Sequence, residues 1–427
     1  MSTPDRVFIT GTSALTACGD TLDGTWNSVL EGKSGIGDIT QWDISSWPAR
    51  LGGELKNFQP ARMLPDKKLL KVISRQDVMG INAAMQAVVH SQMTEYRDGL
   101  ACSKLFDENT AVYVGSPGNK YFQQYDFLPL LAKTDGDMHQ FAEHLFDEVH
   151  PMWLLRILPN NVLAYTGITY GFKGPNHNVT NHAVGGTQAI IEAYHAIKSG
   201  QADRAVVVAY DVGIEPQAHF YYDKLGVVSH NHLKPFDTAH NGTILAEGAA
   251  AIVLESEESA RQRGAICYGE IAGGFSASEA TGLFSLEASG ESLARLMRKT
   301  LDELQLSATD IDMVVAHGNG NKQSDDSEAH AIRAVFPTES VPVTAFKWAT
   351  GHTLCASGVV DTVLTTRALQ NHCIPGVATL DKVASSCEGL NVAAVTRSMQ
   401  TKNRHAALMI NRGFASMNAC LVIKSCD

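Results

Sequence analysis

The chain has 427 residues, 44% of them hydrophobic and 19% charged, which supplies a large buried core for one large or two medium folded units. Its formal net charge of -11 argues against general nucleic-acid binding, which needs clustered Lys and Arg, and would repel an acidic partner except at a local basic patch. The eight cysteines (Cys18, Cys102, Cys267, Cys355, Cys373, Cys387, Cys420 and Cys426) are scattered with no C-x-x-C pair, so reduced thiols, no disulfide and no metal centre are expected.

Met1 to Thr10 holds Asp5 and Arg6 and runs straight into strand-like residues, without the basic and apolar regions of a signal peptide. No uncharged apolar run approaches the ~18 to 20 residues that cross a bilayer, so a cytosolic protein is expected. Strand-like runs follow at Arg6 to Thr10, Thr110 to Gly115, Ala205 to Tyr210, Ala249 to Glu255, Met313 to Ala316 and Ala406 to Met409. Between them, Arg75 to His90, Thr187 to Ser199, Glu291 to Leu304 and Gly358 to Leu369 carry apolar residues at helical spacing. This alternation predicts an α/β architecture, and its helical crossovers favour parallel strands.

Residues 105–167 break the alternation, with a loop-like stretch at Ser116 to Tyr125 and turns at Pro129 and Pro151, and read as a cap insertion with a lid or interface role. A charged helix near Ser256 to Gly264 ends at Gly before the strand pattern restarts. It divides the chain into an N-terminal half, 1–257, and a C-terminal half, 258–427.

Three segments place polar residues beside small ones just before a helix, where backbone N–H groups and the helix dipole favour negative charge. One is Gly174-Pro175-Asn176-His177-Asn178-Val179-Thr180-Asn181-His182-Ala183-Val184-Gly185-Gly186-Thr187. The others are Val315-Ala316-His317-Gly318-Asn319-Gly320-Asn321, followed by Asp325 and Glu328, and Phe346-Lys347-Trp348-Ala349-Thr350-Gly351-His352. A lone histidine after a strand is most often structural. The combination of a strand-end His-Gly with a later Lys-x-x-x-Gly-His at a helix start is far more specific.

With Arg6-Val7-Phe8-Ile9-Thr10-Gly11, Gly32-Lys33-Ser34-Gly35-Ile36, Pro235-Phe236-Asp237, Asn241-Gly242, Leu245-Ala246-Glu247-Gly248-Ala249 and Gly413-Phe414 to Asn418-Ala419, these segments make a pattern spanning Arg6 to Ile423. It resembles the β-ketoacyl-acyl-carrier-protein synthases, the condensing enzymes of the thiolase superfamily. The resemblance implies a thiolase-like duplicated α/β fold in five layers, usually dimeric. It also implies decarboxylative Claisen condensation of acyl and malonyl carrier protein, in fatty acid or polyketide and polyene biosynthesis. No cofactor is implied beyond the phosphopantetheine arm of acyl carrier protein. His317 and His352 would donate hydrogen bonds during decarboxylation, with Lys347 holding the site and Glu328 as its ion partner. Lys67, Lys68, Lys71 and Arg75 form the densest basic cluster of the N-terminal half and would dock the acidic carrier protein.

The sequence departs from that family in four places. Ala183 stands at the nucleophilic cysteine, and a methyl group forms no thioester. His182, one residue earlier, replaces a usual small residue and is expected to pack or hydrogen-bond; a one-residue shift would make it the substitute. Asn319 and Asn321 replace threonines that contact the pantetheine arm. Arg412, before Phe414, replaces a gating aromatic and would bring a cation to the acyl pocket, suiting a polar or short acyl group. Cys355 resembles the nucleophile motif but lies in the other half, as a core cysteine.

Three accounts of Ala183 stand open: a Cys-to-Ala change made to trap a complex, a natural malonyl-carrier-protein decarboxylase, or a non-catalytic partner like a chain-length factor. A homodimer and a heterodimer with a paralogous ketosynthase both stay open, the non-catalytic account implying the heterodimer. Other classes lack their motifs: H-E-x-x-H, G-x-S-x-G, the phosphate-binding glycine loops and the second cysteine of thiolases are all missing.

Overall fold

The computed structural model describes residues 6–118, 126–337, 340–400 and 404–426. Among them, eleven strands join in one sheet. In chain order these are β1 (Val7–Leu15), β2 (Thr110–Gly115), β3 (Asn176–Val179), β4 (Arg204–Val212), β5 (Glu247–Ser256), β6 (Gly269–Ser278), β7 (Met313–Val315), β8 (Pro342–Thr344), β9 (Asn391–Val392), β10 (Ala406–Gly413) and β11 (Met417–Lys424). Their spatial order is β9-β8-β7-β10-β11-β6-β1-β5-β4-β2-β3. β1 and β6 pair only at Phe8–Glu270 and Ile9–Gly269, and there the sheet divides into two leaves.

Six helices position the rest: α1 (Arg75–Ser91), α2 (Asn161–Tyr170), α3 (Gly185–Lys198), α4 (Glu291–Glu303), α5 (Lys322–Val335) and α6 (Ser357–Gln370). α1 starts at a capping box formed by Ser74 and Asp77 and covers β1, β5 and β4 from outside. α4 buries Leu293, Leu296, Met297, Thr300 and Leu301 along one stripe, against β6 and β11. α3 and α6 touch strands of both leaves, so they form the middle of five layers, helix, sheet, helix, sheet, helix. This placement explains why nearly every residue of α6 is buried.

The expected preference for parallel strands holds only at the flanks. β3-β2-β4 and β10-β7-β8-β9 are parallel, whereas β4-β5-β1-β6-β11-β10 is antiparallel. The clearest cause is the reversal from β10 to β11 through Phe414, Ala415 and Ser416, the last two at φ +59° and +57°. A reversal that tight needs no crossover helix.

The same pairing corrects the cysteine reading. β6 and β11 run antiparallel with Glu270 opposite Lys424, which brings the residues just outside both strands together, and Cys267 and Cys426 are joined in a disulfide with Cα atoms 6.1 Å apart.

Of the segment read as an insertion, Thr110–Gly115 belongs to the sheet as β2, and residues 119–125 of the expected loop lie outside the described residues. Beyond it, helices Met138–Glu148 and Trp153–Arg156 bury none of their residues, and Phe146 and Leu154 are 76% and 62% exposed. Among the described residues, no helix is long and apolar enough to cross a membrane.

α3 and α6 meet through glycines. A methyl on Gly358 would fall 2.5 Å from the Thr187 nitrogen, and one on Gly186 would fall 2.6 Å from the Cys355 carbonyl oxygen. Gly358→Val therefore forces the central layer apart and should cost about 3 kcal/mol, read as a lower urea midpoint. An unchanged midpoint would contradict this packing.

Candidate active site

The start of α3 faces the start of α6, and the two are built alike. Each helix is preceded by a turn of 3-10 helix, His182–Val184 and Leu354–Ala356, whose first residue has positive φ, +45° at His182 and +43° at Leu354. The next residue is small and fully buried: Ala183 in one half, Cys355 in the other. A methyl on Gly185 would fall 2.8 Å from Cys355 Sγ, so the two positions lie almost back to back. Burial and the nearby Asp211 push the Cys355 thiol well above its ordinary range, and it is inert as a nucleophile.

A strand end and a helix end supply the histidines of the neighbouring cleft. His317 follows β7, and Glu328 on α5 accepts the His317 and Gly318 N–H groups at 2.7 and 3.0 Å, fixing the turn. Burial raises the Glu328 carboxyl to about 7, against the opposing pull of Arg412 and those N–H groups. His352 follows a one-turn helix, Lys347–Thr350, and Gly351 at φ +73°. The His317 and His352 rings stand edge to face, centroids 5.1 Å apart.

The His317 tautomer follows from its backbone partner. His317 Nδ1 accepts the Arg412 N–H at 3.3 Å, so its proton sits on Nε2. His352 uses Nδ1 toward Ser357 Oγ, 3.1 Å away, and keeps Nε2 for the cleft. Burial first, then the Lys347 ammonium, holds both imidazoles well below their ordinary pKa. Two neutral rings therefore line the cleft, and a neutral Nε2–H is what a developing enolate oxygen requires.

Lys347 has a different partner from the one expected. Its ammonium meets Asp361 Oδ2 at 2.9 Å, both side chains being buried, while Glu328 is spent on the His317 turn. Asn411 Nδ2 also donates to Asp361 at 3.1 Å. Asp361 lies inside α6 and is that helix's single acid, the one trace of its role in the sequence.

Arg412 is corrected too. Its guanidinium is buried and bonded to Glu279 at 2.7 Å, Asn418 at 3.0 Å and the Ser324 carbonyl at 3.0 Å, so its charge is neutralised and is not a free cation for an acyl group. Asn319 Oδ1 accepts the Asn321 N–H at 3.0 Å and Asn321 Oδ1 the Ser324 N–H at 3.3 Å, which leaves their NH2 groups as donors. His182, His317, Asn319, Asn321, His352, Arg412 and Phe414 line one cleft.

The basic cluster divides. Lys67, Lys68 and Lys71 are exposed on a 3-10 turn. Arg75 instead pairs with the buried Glu247 at 2.7 Å and stacks on Phe58, and so belongs to the fold. One group among the described residues gathers possible metal ligands, His240, Asp326 and Cys387, within 4.8 Å. Asp326 already receives Ser386 and Lys322.

With this geometry in place, the chain can be compared with known proteins. Residues 4–260 match the β-ketoacyl synthase N-terminal domain and residues 268–381 the C-terminal domain. The chain belongs to the β-ketoacyl synthase family. It is 28% identical over 438 residues to a 3-oxoacyl-[acyl-carrier-protein] synthase 2 of Staphylococcus aureus, covering 99% of each chain. The corresponding synthase of Synechocystis sp. is 26% identical over 429 residues, covering 98% of each. In fold it resembles the ishigamide ketosynthase/chain length factor (TM-score 0.88, 22% identity, 99% of each chain). A β-ketoacyl synthase from Burkholderia phymatum gives 0.86 at 23% identity, covering 99% of this chain and 100% of that one.

Two measurements test the site. In histidine 15N spectra, His317 should stay neutral with its proton on Nε2 from pH 8 down to about 5.5; a midpoint near the ordinary ~6.5 would contradict its burial. Asp361→Ala leaves a buried ammonium unpaired and should cost about 3 to 5 kcal/mol in urea unfolding; a loss under about 1 kcal/mol would show that Asp361 is not the partner on which Lys347 depends.

Proposed function

We propose that this β-ketoacyl synthase relative holds a carrier-bound malonyl group and removes its carbon dioxide without loading an acyl chain on itself. The observation that carries the reading is a cleft lined by His317 and His352 as neutral imidazoles, beside His182 and the fully buried Ala183 that follows it at the helix start. In the parent condensation a cysteine thioester supplies the electrophile, and that half of the chemistry is missing here.

Decarboxylation needs no thiol. With the malonyl thioester oxygen facing the two Nε2 atoms, the bond between the α-carbon and the carboxylate breaks and carbon dioxide leaves. The enolate oxygen is stabilised by hydrogen bonds, and the α-carbon takes a proton from water to give an acetyl thioester. Lys347, neutralised by Asp361, holds the turn before His352 rather than acting as an acid. Asn319 and Asn321, whose Oδ1 atoms are taken by backbone N–H groups, would donate through Nδ2 to the amide carbonyls of the pantetheine arm. No resident cofactor is required.

A second reading, a partner subunit for a catalytic ketosynthase in polyketide or fatty acid synthesis, has its own support. Among the described residues β3 ends the sheet with one strand neighbour, and the apolar surface of helices Met138–Glu148 and Trp153–Arg156 suits burial against another chain. One similar structure, at 22% identity and TM-score 0.85, is a ketosynthase in complex with its acyl carrier protein. Decarboxylation and partnership are compatible, and a homodimer or a heterodimer would use the same faces.

Carbon dioxide release from malonyl carrier protein tests the activity. His317→Ala and His352→Ala should each lower it by about 10²-fold, the usual loss for one such donor; no turnover by the unaltered chain would remove the reading. Exchanging Lys67, Lys68 and Lys71 for Glu should raise KM for the carrier protein at least tenfold with kcat unchanged. An unchanged KM would place docking elsewhere.

A further inference from the structure

The nucleophile position is disabled twice. A cysteine thioester at residue 183 would need its carbonyl oxygen bound by nearby backbone donors, and the chain at Gly413 and Phe414 passes close beside the Ala183 nitrogen. A methyl built on Gly413 would lie 3.4 Å from the Ala183 nitrogen and 3.2 Å from His182 Nδ1. The Phe414 N–H is already taken, donating to His182 Nδ1 at 3.1 Å.

His182 is held in place from every side. With Nδ1 as acceptor, its proton sits on Nε2 and is donated to Tyr222 Oη at 2.5 Å. The ring stacks on Phe414, centroids 4.4 Å apart and planes 12° apart, and lies nearly parallel to Tyr222 at 6.1 Å. Burial lowers its pKa to about 4, so the imidazole remains a neutral acceptor at physiological pH.

His182 and Tyr222 also form a wall. Both line the histidine cleft, and both line a second cavity beyond it, whose other walls include Gln76, Asp211, Glu215 and Leu354. An acyl chain entering from the histidine side would have to displace this pair.

We propose that the His182 imidazole is an internal plug: it occupies the Phe414 donor that an acyl thioester oxygen would use and, with Tyr222, closes the passage to the second cavity. Acylation is then lost at two adjacent positions and a supporting tyrosine. This speaks for a site that has given up acyl loading, not for a single Cys-to-Ala change. The inference rests on position 183 as the nucleophile site and does not depend on decarboxylation.

Restoring the thiol should therefore be insufficient. In transthioesterification the introduced thiol attacks an acyl thioester; a new carbon–sulfur bond forms, the bond to the pantetheine sulfur breaks, and the proton passes from the attacking to the leaving thiol. The test compares Ala183→Cys, the double variant His182→Gly with Ala183→Cys, and the milder Tyr222→Phe with Ala183→Cys. Glycine is chosen because residue 182 has φ +45°, which glycine adopts without strain. The probe is a hexanoyl-pantetheine thioester, read by intact mass, with circular dichroism confirming the fold. The double variant should acylate at least tenfold faster than Ala183→Cys alone, with the Tyr222 variant between them. Equal rates for the first two, whether both fast or both at background, would overturn the plug. Carbon dioxide release by the unaltered chain, measured separately, decides the decarboxylation reading whichever way the acylation ratio falls.

Discussion

The close contact of the two central helices is the constraint on which the site depends. α3 and α6 approach through Gly186 and Gly358, so their N-terminal turns face each other inside the protein. Every functional side chain is placed relative to that meeting point: Ala183 and His182 on one turn, His352 and Ser357 at the other. The ends of β7 and β10 deliver His317 and Phe414 from the same leaf of the sheet. Widening the contact by one methyl would move both turns at once.

Burial then dictates the chemistry. A site this dry disfavours charge, so its cations are matched internally, Lys347 by Asp361 and Arg412 by Glu279. The same dryness keeps His182, His317 and His352 uncharged. Neutral imidazoles cannot be told apart by charge, only by what each nitrogen meets. His317 presents a proton to the cleft, whereas His182 spends its lone pair on Phe414 and its proton on Tyr222. One residue type thus serves as a donor in one place and a stopper in another.

Periodicity made much of this legible in the sequence. The buried strands Thr110–Gly115 and Arg204–Val212 and the four long helices are continuous apolar or amphipathic runs, and they lie where the patterns put them. β11 was hidden because its reversal uses Ala415 and Ser416, not the Asn-Gly or Asp-Gly that announces a hairpin. The disulfide was hidden with it, since only the β6–β11 register brings Cys267 to Cys426. Within the site, the histidines and Lys347 were readable as motif residues. Their partners were not: Glu328 is closer to the His-Gly motif in sequence, but Lys347 reaches Asp361 because α6 runs back beneath it. Tyr222 left no mark at all, because its contact with His182 depends on how a surface helix folds over the cleft.

The most direct measurement is to incubate the unaltered chain with malonyl carrier protein in deuterium oxide, following both proteins by intact mass. The account predicts that, after return to ordinary water, the carrier protein bears an acetyl group with one carbon-bound deuterium and the chain carries no added acyl mass. A chain that gains acyl mass during turnover, or a malonyl group that persists untouched, would contradict it.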